Sequence, residues 1–244
     1  MQILEGKVSI EAVLESRSRT ISSIWINKNK RRDKFRKVLK LAKQKSIPVE
    51  YVSGEKLAER ATGNSHGGIV ATASARSFMP IEKMIKGKKN CFIAMIDGIE
   101  DPYNFGFAVR SLYAAGCDGL IVRPRNWMDS TTIVARSSAG ATERIAMSVM
   151  ETAEEAASFF QANGFEVFAT SNTDAEDLYE VDLTGNVFLF IGGEKRGVTR
   201  SFLSHCDRLL QIPYGREFSQ SISAEAAAAV IGFEMSRQRR TKRK

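Results

Sequence analysis

Residues 186–197 read Asn-Val-Phe-Leu-Phe-Ile-Gly-Gly-Glu-Lys-Arg-Gly. Residues 209–223 read Leu-Leu-Gln-Ile-Pro-Tyr-Gly-Arg-Glu-Phe-Ser-Gln-Ser-Ile-Ser and run into an Ala-rich stretch. Each half is an apolar strand run that stops at a Gly or Pro turn. Open α/β sheets place their ligand sites at such strand ends. Two ends this close in sequence, feeding one C-terminal helix, predict a single pocket built largely from exposed backbone.

The rest of the chain supplies a sheet for that pocket. From Asn90 onward, apolar runs predict strands at 91–96, 119–123, 145–149, 165–170, 187–191 and 208–212. Helical spacing fits 104–115, 129–139, 151–162, 199–205 and 223–238. Strands alternating with helices predict a parallel sheet covered on both faces. Residues 1–74 read as a smaller α/β unit. It has helices at Ile10–Ser16, Asp33–Lys45 and Gly54–Arg60, and strands at Ile21–Ile26, Val49–Val52 and Gly68–Ala73. Residues 75–89 mix Arg, Pro, Gly and Lys without pattern and read as a linker. The expected organisation is therefore 1–74, a linker at 75–89, and 90–244.

Charge narrows the partners. The 244-residue chain carries a net charge of +8, which favours a polyanion, with nucleic acid ahead of an anionic membrane surface. Residues 28–45 hold ten Lys or Arg and one Asp, and Arg237–Lys244 holds six Lys or Arg and no acid. For any single lysine, a solvated helix face is an equal reading. Three widely spaced cysteines, Cys91, Cys117 and Cys206, form no CxxC pair or disulfide framework. Cys91 and Cys117 read as buried small hydrophobes. The N-terminus lacks a signal-peptide core, and no apolar run reaches membrane-spanning length, so a cytoplasmic protein is expected. His66 and His205 have no partners at metal-ligand spacing, so no metal site is expected.

Three segments carry candidate chemistry, each with a plain structural alternative. Asp97–Gly116 ends a strand, turns at Asp101-Pro102 and enters a helix. Asn104 reads as a cap there, and Arg110 as a cation for a phosphate or a sugar edge. Gly192-Gly193-Glu194 reads as a tight turn, or as backbone open to a ligand with Glu194 accepting from a hydroxyl or amine. Ser219, Gln220, Ser221 and Ser223 follow Pro213 at a helix start. There they read as caps, with Ser223 the simplest, or as ligand hydrogen-bonding groups.

Together the segments resemble the three motifs of the SpoU-type RNA ribose 2′-O-methyltransferases, within the knotted SPOUT superfamily. The Asn and Arg of the first motif fall on Asn104 and Arg110. The Gly-x-Glu of the second falls on Gly192 and Glu194, and Ile212–Glu234 resembles the third. Arg136-Ser-Ser-Ala-Gly-Ala141 resembles a family segment between the first two. Residues 1–74, ending in Ser65-His-Gly-Gly-Ile-Val-Ala71, resemble the ribosomal-protein-like substrate-binding domain of many relatives.

The resemblance implies a trefoil knot holding S-adenosylmethionine in a bent form, mostly through backbone. The implied contacts are Thr170, Ser171, Gly192, Gly193, Glu194, Ile212, Pro213, Tyr214, Ser219, Gln220 and Ser221. It implies Arg110, Asn104, Glu194 and Ser221 as the catalytic set, RNA as substrate with ribosomal RNA preferred, and a homodimer. Three departures fall at the cofactor edge. The usual Ser-Leu-Asn of the third motif is Ser219-Gln220-Ser221, the stretch from Pro213 to Ser219 is one residue short, and Gly193 stands where Asn or Ala is frequent. Two rival readings share the architecture: a catalytically silent RNA-binding protein and an antibiotic-resistance rRNA methyltransferase.

Overall fold

The computed structural model describes residues 1–124, 131–193 and 198–242. Contacts divide the chain into two compact units. The first holds residues 1–77 and the described part of 126–144; the second holds 78–125 and 145–244.

The first unit opens with β1 (Gln2–Glu5), α1 (Lys7–Ser16) and β2 (Ile21–Asn27). A 3-10 turn at Arg32–Phe35 leads into α2 (Arg36–Gln44), followed by β3 (Val49–Val52), α3 (Gly54–Arg60) and β4 (Ile69–Ala73). The sheet order is β1-β4-β2-β3. β2 pairs parallel to β3, and β4 runs antiparallel to both β1 and β2. Phe35, Val38 and Ala42 turn one face of the turn and α2 into a core with Ile24, Ile26 and Leu4. That burial leaves the basic side chains of 28–45 exposed. Strand β1 is absent from the sequence reading because four residues carry too little pattern. The predicted helix at 33–45 begins instead as the tighter 3-10 turn.

The second unit begins with α4 (Ile81–Ile85), inside the segment expected to be a patternless linker. Ile81 and Met84 are buried in the core of the larger sheet. Next along the chain come β5 (Phe92–Ile96), α5 (Pro102–Ala115) and β6 (Gly119–Val122), then α6 (Thr131–Ser137) and α7 (Ala141–Arg144), which belong to the first unit. They are followed by β7 (Ala146–Val149), α8 (Ala153–Ala162), β8 (Glu166–Thr170), β9 (Glu176–Asp177) and β10 (Val187–Ile191). The chain closes with α9 (Arg200–Leu203), β11 (Arg208–Gln211) and α10 (Ala224–Thr241).

Every pair in the seven-stranded sheet β7-β6-β5-β10-β8-β11-β9 is parallel. All five residues of β10 are buried, as a central strand covered on both faces requires. Phe188 stacks on Phe160 of α8 at 4.4 Å between ring centroids, and Phe190 on Phe202 of α9 at 4.1 Å. Side chains also tie strand starts together. Asn186, Asp118 and Asp207 accept from the backbone N–H groups of Cys91, Phe92 and Val167. Among the described residues no helix is long and apolar enough to cross a membrane.

Helices α6 and α7 group with the first unit. The sequence predicts one helix at 129–139. The described part of that helix, α6, ends at Ser137; Ala139 and Gly140 adopt φ of 50° and 77°, left-handed values that end a helix, and α7 follows beyond the predicted range. A Cβ on Gly140 would lie 2.6 Å from the Ala12 Cβ, so glycine is needed for packing as well as for the turn. Two buried carboxylates hold this segment. Glu5 accepts from Thr62 and Gly63 and pairs with Arg136 at 3.3 Å. Glu143 accepts from Ser18 at 2.6 Å and pairs with Arg19 at 3.0 Å and Arg76 at 3.3 Å.

Candidate active site

Parallel strands present their C-terminal ends at one edge of a sheet, and here β10, β8 and β11 are neighbours. A cavity of about 340 Å³ lies at their ends. Thr170, Ser171, Gly192, Gly193, Ile212, Tyr214 and Ser221 all line it, so three segments distant in sequence converge on one pocket. Thr170 Oγ1 accepts from the Gly192 N–H at 3.3 Å, tying the end of β8 to that of β10. The Ser171 N–H donates to Leu210 O at 2.9 Å, tying β8 to β11. Tyr214 closes the next turn on itself, its hydroxyl accepting from the Ile222 N–H at 3.0 Å. Asn172 Nδ2 donates to Ser221 Oγ at 2.6 Å.

The Gly193 departure has a physical reason. Gly98, just after β5, lies against it. A Cβ built on Gly193 would meet the Cα and carbonyl oxygen of Gly98 at 2.6 Å. Gly98 has φ of +83°, and a Cβ there would sit 2.9 Å from the Gly193 Cα. The first and second sequence segments thus touch backbone to backbone at a place that admits no side chain.

Helix α5 begins differently from its sequence reading. Asp101, rather than Asn104, is the N-cap, accepting from the Tyr103 N–H at 2.6 Å and the Asn104 N–H at 3.4 Å. Pro102 occupies the first helical position, where a missing N–H costs nothing. Asn104 is an interior residue of the first turn. Ser223 is the N-cap of α10 by backbone, but its side chain makes no cap bond. Asp97, at the end of β5, pairs with Arg123 at 2.8 Å. Arg110 is exposed on α5, and neither it nor Asn104 is among the residues lining the cavity. Pro213, Ser219 and Gln220 are exposed and also lie off the lining. Glu194 lies outside the described residues.

Some lining residues escaped the sequence reading. Asn172 and Thr173 extend the β8 wall, and Ala224 and Ala227 of α10 form another part. The Ala-rich start of α10 was the available signal, because small side chains on a helix leave room beside it.

The described lining side chains carry no charge, and none is a cysteine or histidine. Cys91, Cys117 and Cys206 are free thiols elsewhere in the fold. Burial is the main reason each is pushed up to about 12. Such a pocket suits a reaction in which the protein positions two reactants and forms no covalent bond of its own. Its size, its mix of aliphatic side chains with hydroxyl and amide groups, and its close glycine backbones fit a nucleoside-bearing ligand such as S-adenosylmethionine.

Comparison with known proteins agrees with this geometry. The sequence profile of the SpoU rRNA methylase family matches residues 91–233. A second profile, RNA 2′-O ribose methyltransferase substrate binding, matches residues 3–79. The 23S rRNA (guanosine-2′-O-)-methyltransferase RlmB of Shewanella oneidensis is 27% identical over 242 residues, covering 98% of each chain. Its Haemophilus influenzae counterpart is 26% identical over 238 residues, covering 96% of each. The crystal structure of the SpoU methyltransferase AviRb from Streptomyces viridochromogenes superimposes with a TM-score of 0.81 at 20% identity. That match covers 98% of this chain and 90% of AviRb. The chain belongs to the SpoU rRNA methylase family.

Proposed function

We propose that this protein transfers a methyl group from S-adenosylmethionine to a ribose 2′-hydroxyl of ribosomal RNA. A guanosine of 23S rRNA is the acceptor for which its RlmB relatives are named. The observation that carries the reading is the convergence of the ends of β8, β10 and β11 on one pocket. Thr170, Ser171, Gly192, Gly193, Ile212, Tyr214 and Ser221 would hold the cofactor.

Bound S-adenosylmethionine supplies a methyl group already activated on a sulfonium. The ribose oxygen displaces the sulfur in line, a neutral thioether leaves, and the hydroxyl proton is lost. Orientation of the two reactants can supply about 7–11 kcal/mol of the barrier. Arg110 orients the 2′-hydroxyl or its neighbouring phosphate. A guanidinium offers only N–H donors and no acceptor, so it does not serve as the base, and the proton passes to phosphate or water. The first unit grips RNA through the exposed basic side chains of 28–45.

The assembly is a homodimer formed over α5 and α10. Tyr103, Phe107 and Phe233 are 44%, 45% and 51% exposed there, an unusual cost for a monomer. A two-fold pairing covers these rings and sets Arg110 at the subunit boundary. The protein acts in the cytoplasm on ribosomal RNA.

Incubation with methyl-labelled S-adenosylmethionine and ribosomal RNA from cells lacking the gene tests the reading. Label should enter RNA with the wild type and not with Arg110→Ala. That variant should keep its cofactor affinity, because Arg110 is off the cavity lining. An unlabelled wild-type reaction rejects the proposed activity, and full labelling by the variant rejects the role of Arg110.

A further inference from the structure

The third motif departs from its family at Ser221, where Asn is usual. The fold brings an amide to the same place from another segment. Asn172 lies two residues beyond the end of β8, and its Nδ2 donates to Ser221 Oγ at 2.6 Å. Both side chains line the cavity, and 49 residues separate them. The bond therefore joins the β8 wall to the segment entering α10.

Hydrogen-bond capacity shows what this pair can offer. A serine hydroxyl carries one donor and two acceptor lone pairs. Ser221 Oγ spends an acceptor site on Asn172, which leaves its O–H free to donate. Asn172 spends one N–H, and its Oδ1 has no partner among the described residues. Together the two side chains present a donor and an acceptor at the pocket, the same set that a single asparagine amide would present.

We propose that Asn172 and Ser221 form a split amide that positions the cofactor, with Asn172 replacing the asparagine that the third motif lacks. Asn172 is then a positioning residue rather than a passive surface group. The inference rests on the S-adenosylmethionine reading above and adds a residue that the motif comparison does not assign.

Calorimetric S-adenosylmethionine binding to the full chain tests it, alongside thermal unfolding of each variant. Asn172→Ala should weaken binding about threefold to tenfold, the scale of one ordinary hydrogen bond. Asn172→Asp, which keeps the shape but removes the donor, should weaken it similarly. Melting temperatures should not move, because both side chains are exposed. Adding Ser221→Asn to Asn172→Ala should restore affinity to within twofold of wild type. Asn172→Ala and Ser221→Ala together should weaken binding by less than the product of their separate effects, as expected for two coupled groups. Unchanged binding by Asn172→Ala, or failed restoration by Ser221→Asn, overturns the split amide and leaves the cofactor reading intact. A wild-type protein without affinity overturns both.

Discussion

The contact between Gly98 and Gly193 makes Gly193→Ala a sharp perturbation. The new methyl carbon would lie 2.6 Å from the Cα and carbonyl oxygen of Gly98 and 2.7 Å from its carbonyl carbon. Unstrained carbon contacts sit near 3.5–4.0 Å, so the overlap is about 1 Å. All three atoms are backbone, and no rotamer change relieves them. Overpacking of this kind costs about 1–3 kcal/mol. In a chain of this size, each kcal/mol lowers the melting temperature by about 2–4 °C, giving a drop of about 2–12 °C. Because Gly193 also lines the cavity, S-adenosylmethionine affinity should fall with it. Gly98→Ala should cost more, since its φ of +83° adds backbone strain to a 2.9 Å clash. Thermal unfolding by circular dichroism and calorimetric titration give both quantities. A Gly193→Ala protein that melts within 1 °C of wild type and binds cofactor equally well would refute the close approach.

Other consequences follow from the charges and thiols. Glu143→Gln should destabilise the first unit by about 3–5 kcal/mol, because it removes the negative charge paired with the largely buried guanidinium groups of Arg19 and Arg76. Burial pushes the Glu143 carboxyl up, but the Arg19 and Arg76 charges and the Ser18 hydrogen bond outweigh it, and the net shift is downward. Its contribution is therefore present above the ordinary value of 4.5 and is lost as pH falls through the lower folded value. Acid unfolding followed by circular dichroism should show this loss, and Glu143→Gln should blunt it. With their pKa values pushed up to about 12, the three cysteines should resist maleimide labelling at pH 8 until the chain is denatured. Lys40→Glu with Lys43→Glu should weaken RNA binding for all sequences alike and flatten its dependence on salt. A filter-binding series from 50 to 200 mM salt would measure this.

What the sequence revealed depends on the range of the interactions involved. Strand β10 was legible because a run of Val-Phe-Leu-Phe-Ile needs burial on both faces. Strand β1 was not, because Gln2–Glu5 becomes a strand only by pairing with β4. Asp101-Pro102 carried a visible helix start, yet the residue reading gave the cap to Asn104 rather than to Asp101. The split between α6 and α7 turns on the tight meeting of Gly140 with Ala12, which no local pattern contains. The basic tail also makes contacts within the fold. Arg237 pairs with Glu234, Arg239 donates to the carbonyls of Leu183, Asn90 and Gly185, and Lys242 pairs with Asp182. Arg239 and Lys242 thereby tie the end of α10 to neighbouring segments, a use that the charge pattern alone does not reveal. The β10 and β11 sides of the pocket were legible because those strands run into Gly192 and Pro213, whereas the β8 side, at Thr170 and Ser171, came only from the resemblance. The insertion of β10 between β5 and β8 was not legible, since strand order is set by tertiary packing. The Asn172–Ser221 bond crosses the same barrier.

Alkaline digestion of the methyl-labelled RNA product tests the central claim most directly. Alkali cleaves an RNA linkage by using the free 2′-hydroxyl as nucleophile, so a 2′-O-methylated linkage survives. Methyl transfer to ribose predicts label in alkali-resistant dinucleotides, present with the wild type and missing with Arg110→Ala. Label released in mononucleotides would place the methyl group on a base and contradict the account.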